Sequence, residues 1–259
     1  MLTRYTLALY IISLTAQGSV INEKAAQPLT MCVSHYPPHQ VVLPDQAPMG
    51  ENIAAASYFF NKLGYTLSFT ANNSFWRCLA MLEAGKVDLM SGLLDAPERR
   101  DFAHLFVYST LNEKSFYVNN PDLNITSFSD LKGLKVAVLR GVKQFTQFDN
   151  APEGFLKKVY VSDLDAAFRV LEAGKVDVVI ATDFFDIEKF KNRTIAPAKI
   201  KEVVVQLDDS SLLFTALSKK SKVAHLAPKF SQLSKTLYKN GEFKRVIREF
   251  RAKHPEYYH

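Results

Sequence analysis

Cysteine is scarce in this 259-residue chain, with Cys32 and Cys78 the only two. No thiol nucleophile remains if they bridge. No segment after residue 30 approaches the roughly 18 consecutive apolar residues of a membrane span. The usual signatures of catalysis are missing as well: G-x-S-x-G, H-E-x-x-H, the P-loop and the dinucleotide-binding glycine fingerprint are nowhere in the sequence. These absences argue against an enzyme and against a cofactor. Aromatic residues reach 12% and hydrophobic residues 47%, so the chain has the material for a packed core and does not read as disordered.

What is present begins at the N-terminus. Arg4 precedes an uncharged, mostly apolar run from Tyr5 to Ala16, and Ala16-Gln17-Gly18 places small residues where a signal peptidase cuts. The expectation is a signal peptide over residues 1–18, cleaved near Gly18, and a periplasmic location. In an oxidising compartment Cys32 and Cys78 favour a disulfide, two buried thiols being the alternative. Such a bridge would close a loop of about 45 residues and contribute roughly 3–4 kcal/mol by chain entropy. The net charge is +6. The basic cluster Lys244, Arg245, Arg248, Arg251 and Lys253 shares a C-terminal helix with the apolar set Phe243, Val246, Ile247 and Phe250, and reads as a solvated face. Charge alone, with no motif behind it, does not make a nucleic-acid partner.

One heptapeptide occurs twice: Leu82-Glu83-Ala84-Gly85-Lys86-Val87-Asp88 and Leu171-Glu172-Ala173-Gly174-Lys175-Val176-Asp177. Before the first copy, Ser74 is placed to cap a helix with Phe75, Cys78, Leu79 and Leu82 on one face. Before the second, Ser162 and Asp165 form a capping-box-like start to a helix carrying Leu164, Ala167, Phe168 and Leu171. Gly85 and Gly174 suit the left-handed turn that ends a helix. Buried strands follow, over 89–94 and 178–181. Further strands are expected over 30–34, 66–70, 135–139 and 212–217, a helix over 52–63, another from near Lys143, and two helices in the tail. Alternation of strand and helix predicts an α/β fold with mostly parallel sheets, whose ligands bind at the carboxyl ends of the strands. The expectation is a two-lobed clamp joined by a two-strand hinge. Lobe 1 would hold residues 27–114 and 208–259, and lobe 2 residues 115–207.

Several pieces in order carry a family likeness: Tyr36-Pro37-Pro38, Gly50, Ala84 to Asp88, Ser91-Gly92 through Pro97-Glu98-Arg99, Lys132 to Val138, Gly141, Val176-Asp177 and Asn240 to Phe243. Over nearly all of the mature chain it resembles the periplasmic solute-binding proteins of the polar amino-acid type, family 3, which serve ABC importers. The run Phe75-Trp76-Arg77-Cys78-Leu79 is similar to a branch of that family in which this cysteine pairs with one in the first strand. The resemblance implies that Arg99 clamps a ligand carboxylate, a role for which the planar guanidinium offers two parallel donors. It implies that the backbone of Gly92 approaches the ligand, that Tyr36 and Phe75 pack rings against it, and that the turn Arg140-Gly141-Val142-Lys143 faces the cleft, with Gln144 beginning a helix. Backbone N–H groups at that turn suit an anion.

The sequence also departs from the family pattern. Val33 stands where the family has an acid, Leu94 where it has a hydroxyl, and Glu51-Asn52 where it has an aromatic–acid pair. The second-lobe carboxylate for an α-ammonium is matched only by Thr182, with Asp183 one place later; Asp183, Glu51 or Asp95 are the candidates to supply it. The expected ligand is an amino acid or another small carboxylate, and the expected partner an ABC permease or a membrane receptor meeting a monomer. A dehydratase acting on prephenate-like acids is the alternative on the same fold. His35 and His39 flank the two prolines, but without a third ligand no metal is expected.

Overall fold

A computed structural model describes residues 27–181 and 200–258. Eight strands form a continuous sheet in the order β2-β1-β3-β8-β4-β7-β5-β6. The first lobe contributes β1 (Gln27–Met31), α1 (Glu51–Lys62), β2 (Tyr65–Phe69), α2 (Phe75–Glu83) and β3 (Leu89–Leu94), all three strands parallel. The short helix α3 (Pro97–Phe102) then leads into β4 (Ala103–Val118). The second lobe repeats the β-α-β-α-β plan with β5 (Lys135–Leu139), α4 (Thr146–Asp149), β6 (Lys157–Val161), α5 (Leu164–Glu172) and β7 (Val178–Ala181), again parallel. The chain returns through β8 (Lys201–Ser218) and closes with α6 (Ala227–Lys239) and α7 (Glu242–Lys253).

The lobes are joined by β4 and β8, which run antiparallel to each other. Early in β4, Ala103 to Leu111 pair with the later part of β8; further on, Glu113 to Val118 pair with its earlier part while Ser115 to Val118 also pair with β7. Each lobe is therefore a five-stranded mixed sheet that shares these two strands. The register slips between Leu111 and Glu113, where the strands leave one lobe for the other.

The heptapeptide repeat does the same job twice. Its glycine ends the helix with positive φ, 71° at Gly85 and 63° at Gly174. Its aspartate then pins the first strand of its lobe: Asp88 Oδ2 accepts from Thr30 N at 2.9 Å, and Asp177 Oδ2 from Lys135 N at 2.7 Å. Alternation along the second-lobe strands sorts two cores onto opposite faces of the sheet. Val136, Val138, Phe116 and Ile180 pack on one face, while Ala137, Leu139, Tyr117 and Val179 pack on the other. In the first lobe an aromatic pile forms where α1, α6 and α7 cover the sheet, with Phe230 centred 6.4 Å from Phe59 and 5.9 Å from Phe60 and Phe106.

Four local expectations shift, the largest at the strand expected over 212–217, which runs as β8 from Lys201 to Ser218 because it pairs with β4 in both lobes. The first strand starts three residues earlier than expected, because it pairs with β2 from Gln27 on. Helix α5 is capped by Asp163, which accepts from Ala166 N at 2.8 Å, while Ser162 donates to that same aspartate. Helix α4 begins at Thr146, not near Lys143, because residues 140–145 form the turn that reaches the other lobe. Cys32 and Cys78 are joined by a disulfide that ties α2 to the end of β1. The signal-peptide segment, Thr182 and Asp183 lie outside the described residues.

Candidate functional site

Arg99 sits in the first turn of α3, where Pro97 supplies a preset φ at the helix start. Its side chain turns inward and is 3% exposed. Nη1 donates to the Leu94 carbonyl at 2.6 Å and Nη2 to the Gly141 carbonyl at 2.8 Å, so one guanidinium spans both lobes. It lies 5.9 Å from the centre of the Phe75 ring. Burial pushes its pKa down to about 10, against the opposing pull of Glu98, Asp149 and Asp95. Among the described residues no carboxylate forms an ion pair with it.

The second lobe meets it with the turn after β5. Gly141 has φ 82°, and a Cβ there would lie 3.1 Å from Leu79 Cδ1 and 3.6 Å from Trp76 Cα. Glycine lets this turn press against α2. Val142 packs with the cores of both lobes. Lys143 pairs with Glu98 across the junction at 3.0 Å, which holds the Glu98 carboxyl below its ordinary range. Arg140 is exposed and its N–H donates to Val161 O at 2.9 Å. Gln144 N donates to Asp149 Oδ2 at 3.0 Å, and the Gln144 side chain is 1% exposed.

A cavity of about 510 Å³ opens at this junction. Arg99, Gly141, Val142 and Lys143 share its wall with Trp76, Phe148, Asp149 and Tyr160. Trp76 on α2 and Tyr160 on β6 are 53% and 56% exposed, so an aromatic ring stands on each lobe at the edge of the cavity. Burial raises the Asp149 carboxyl above its ordinary range, opposed by the Gln144 N–H and by Lys143, Lys158 and Lys114.

The remaining expected residues lie in the first lobe, off the wall of this cavity. Gly92, φ 84°, occupies a register shift in β3, and a Cβ there would come within 2.7 Å of Asn52 Nδ2. Leu94 is buried and offers only its carbonyl to Arg99. Phe75 is buried beneath that guanidinium. Tyr36 is half-buried and packs against the second-lobe core. Glu51 is buried, with one oxygen 2.5 Å from His39 Nδ1 and the other accepting from Arg251 Nε at 2.6 Å. Asp95 is taken by Arg100, whose Nε donates to it at 2.8 Å. His35 Nδ1 accepts from Val42 N at 3.1 Å. Sequence reasoning missed Asp149, Trp76 and Tyr160. No pattern marked them, since they reach the cavity only through the packing of two lobes.

Two α/β lobes on two shared strands, with a buried guanidinium at their junction, define the class of clamp-like solute-binding proteins. The chain belongs to the bacterial extracellular solute-binding proteins, family 3, whose pattern matches residues 29–253. Solved structures agree on the fold. An amino-acid ABC transporter substrate-binding protein from Streptococcus pneumoniae bound to L-arginine is 21% identical, with a TM-score of 0.65, covering 89% of this chain and 96% of that one. An ancestral amino-acid-binding protein, a precursor of cyclohexadienyl dehydratase, is 20% identical with a TM-score of 0.66, covering 88% and 96%. A histidine kinase sensor domain similar to periplasmic binding proteins is 18% identical with a TM-score of 0.68, covering 87% and 96%. No curated protein matches the sequence.

Proposed function

We propose that this protein is exported, captures a small carboxylate-bearing, amino-acid-like solute between its lobes, and hands it to an ABC importer. One observation carries the reading: Arg99 is 3% exposed and, among the described residues, its guanidinium donates to main-chain carbonyls, those of Leu94 and Gly141, and to no carboxylate. A buried charge is costly to keep without a counter-charge. A ligand carboxylate supplies one, in the bidentate geometry a guanidinium favours. The carboxylate takes the place of the Gly141 carbonyl at Nη2, so the group that links the lobes becomes the group that holds the solute. Phe75 backs the guanidinium, and Gly92 and Tyr36 face the solute from the first lobe. The turn Arg140 to Lys143 closes over it from the second, with Asp183 a candidate for an ammonium group. Closure pivots where β4 and β8 pass between residues 27–114 plus 208–259 and residues 115–207, next to the register slip in β4.

The test is a thermal-shift screen of the mature protein against amino acids, small carboxylates and matched uncharged amides. A true ligand at a hundredfold excess over its Kd adds about 2.7 kcal/mol of stability. A hit among the carboxylates with no response to the matching amides supports the reading. A response to uncharged solutes alone rejects it.

A further inference from the structure

We propose that the C-terminal end of the chain, through Arg251 and Tyr258, positions the cleft loop from Tyr36 to Gln40, with the buried carboxylate of Glu51 as the shared anchor. The consequence for binding rests on the reading of Tyr36 as a solute-facing group; the anchoring itself does not.

Glu51 opens α1 directly after Gly50 and is 5% exposed. Its two oxygens serve two distant parts of the chain. One meets His39 Nδ1 at 2.5 Å, and the other accepts from Arg251 Nε at 2.6 Å. Burial alone would raise the Glu51 carboxyl; His39 and Arg251 outweigh it and hold the group at about 2, so it stays ionised. The Arg251 guanidinium in turn lies 5.2 Å from the centre of the Tyr258 ring. Tyr258 reaches back and donates from its hydroxyl to the Pro38 carbonyl at 3.3 Å. The C-terminal end therefore reaches the loop at two successive residues, Pro38 directly through Tyr258 and His39 through Glu51, whose other oxygen Arg251 holds.

The loop is narrow and its freedom small. Tyr36 and Gln40 exchange main-chain hydrogen bonds at 2.8 and 3.0 Å. The His39 carbonyl accepts from Asn52 N at 3.2 Å and lies over Gly50, where a Cβ would sit 2.2 Å from its oxygen. The His39 ring stacks on Tyr36 with centres 6.0 Å apart. At the far end Gln40 Nε2 donates to Ser91 O at 3.2 Å, next to Gly92. A displacement of His39 is thus transmitted to the Tyr36 ring on one side and to the Gly92 strand on the other. Tyr36 packs on the second-lobe core, so its placement also bears on how the lobes meet. Arg251 and Tyr258 act through Glu51 and the Pro38 carbonyl; they are positioning residues.

The test is residue-resolved hydrogen exchange on the full mature protein, comparing wild type with Arg251→Met, Tyr258→Phe and Arg251→Lys, beside urea unfolding of each. The expected result is at least tenfold faster exchange at the Tyr36, Gln40 and Val41 amides in Arg251→Met and Tyr258→Phe. The core amides of α1 and of β5 should slow or quicken only as far as the global stability does. Arg251→Lys, which restores a cation, should recover part of the loop's protection. Exchange in the loop that stays at the wild-type rate, or that rises by the same factor as in the α1 core, would overturn the anchoring. Faster loop exchange with an unchanged Kd for the best hit of the thermal-shift screen would leave the anchoring standing and overturn the role of Tyr36 in binding.

Discussion

Glu51 offers a sharp physical prediction because its environment is so one-sided. Burial raises the carboxyl, yet His39 and Arg251 bring it from an ordinary 4.5 to about 2. Tyr108 and Tyr258 also feel its charge. The folded carboxyl lies below its unfolded value, so between those two values the unfolded chain binds the extra proton. Stability from this group is complete above about pH 4.5 and is lost as pH falls toward 2. At about 1.4 kcal/mol per tenfold change the shift corresponds to about 3 kcal/mol at neutral pH. Glu51→Gln should cost about 3 kcal/mol at pH 7, since it leaves Arg251 and His39 without the carboxylate they share. It should also flatten the acid limb of the stability curve. Urea unfolding followed by circular dichroism at pH 7, 5, 4 and 3 compares the two proteins. Convergence of wild type toward the variant as pH falls is the expected outcome. Parallel curves between pH 5 and pH 3 would show that the carboxylate is not held ionised by these partners.

Three further outcomes follow from the frame. Cys32 and Cys78 are 46 residues apart, and on the chain-entropy estimate their disulfide is worth about 4 kcal/mol, so Cys32→Ser/Cys78→Ser should unfold at a correspondingly lower urea concentration; equal midpoints would remove the bridge from the account. Gly50→Ala would set a Cβ 2.2 Å from the His39 carbonyl oxygen at φ 132° and should destabilise the first lobe by about 2–3 kcal/mol, read by thermal unfolding. Asp177→Ala removes the carboxylate that accepts from Lys135 N and should cost about 2 kcal/mol, with exchange rising first at the Lys135 amide.

The parts of the fold that could be read from the sequence are those built from near neighbours. The repeated heptapeptide announced two helix–glycine–strand units because a helix face, a left-handed glycine and a buried strand are all local in origin. What its aspartates do was not legible: Thr30 and Lys135 lie 58 and 42 residues away from them. The same distance hid the Glu51–Arg251 pair, separated by 200 residues. From the sequence, Glu51 was a spare charge near a cleft. In the folded chain it ties α7 to the cleft loop. Arg99 was placed by resemblance, but nothing in its neighbourhood of Glu98, Arg100 and Asp101 showed that it alone turns inward. Nor did it show that its partners are main-chain carbonyls. Asp149 and Tyr160 enter the cavity wall because β6 and α4 face α2 across the junction, a proximity that no periodicity encodes.

Isothermal titration of wild type and Arg99→Met with the carboxylate that stabilises the protein most tests the central claim most directly. The account predicts that the methionine variant, folded by circular dichroism, loses about 2–5 kcal/mol of binding, a rise in Kd of roughly thirtyfold or more. An unchanged Kd in a folded Arg99→Met protein would contradict it.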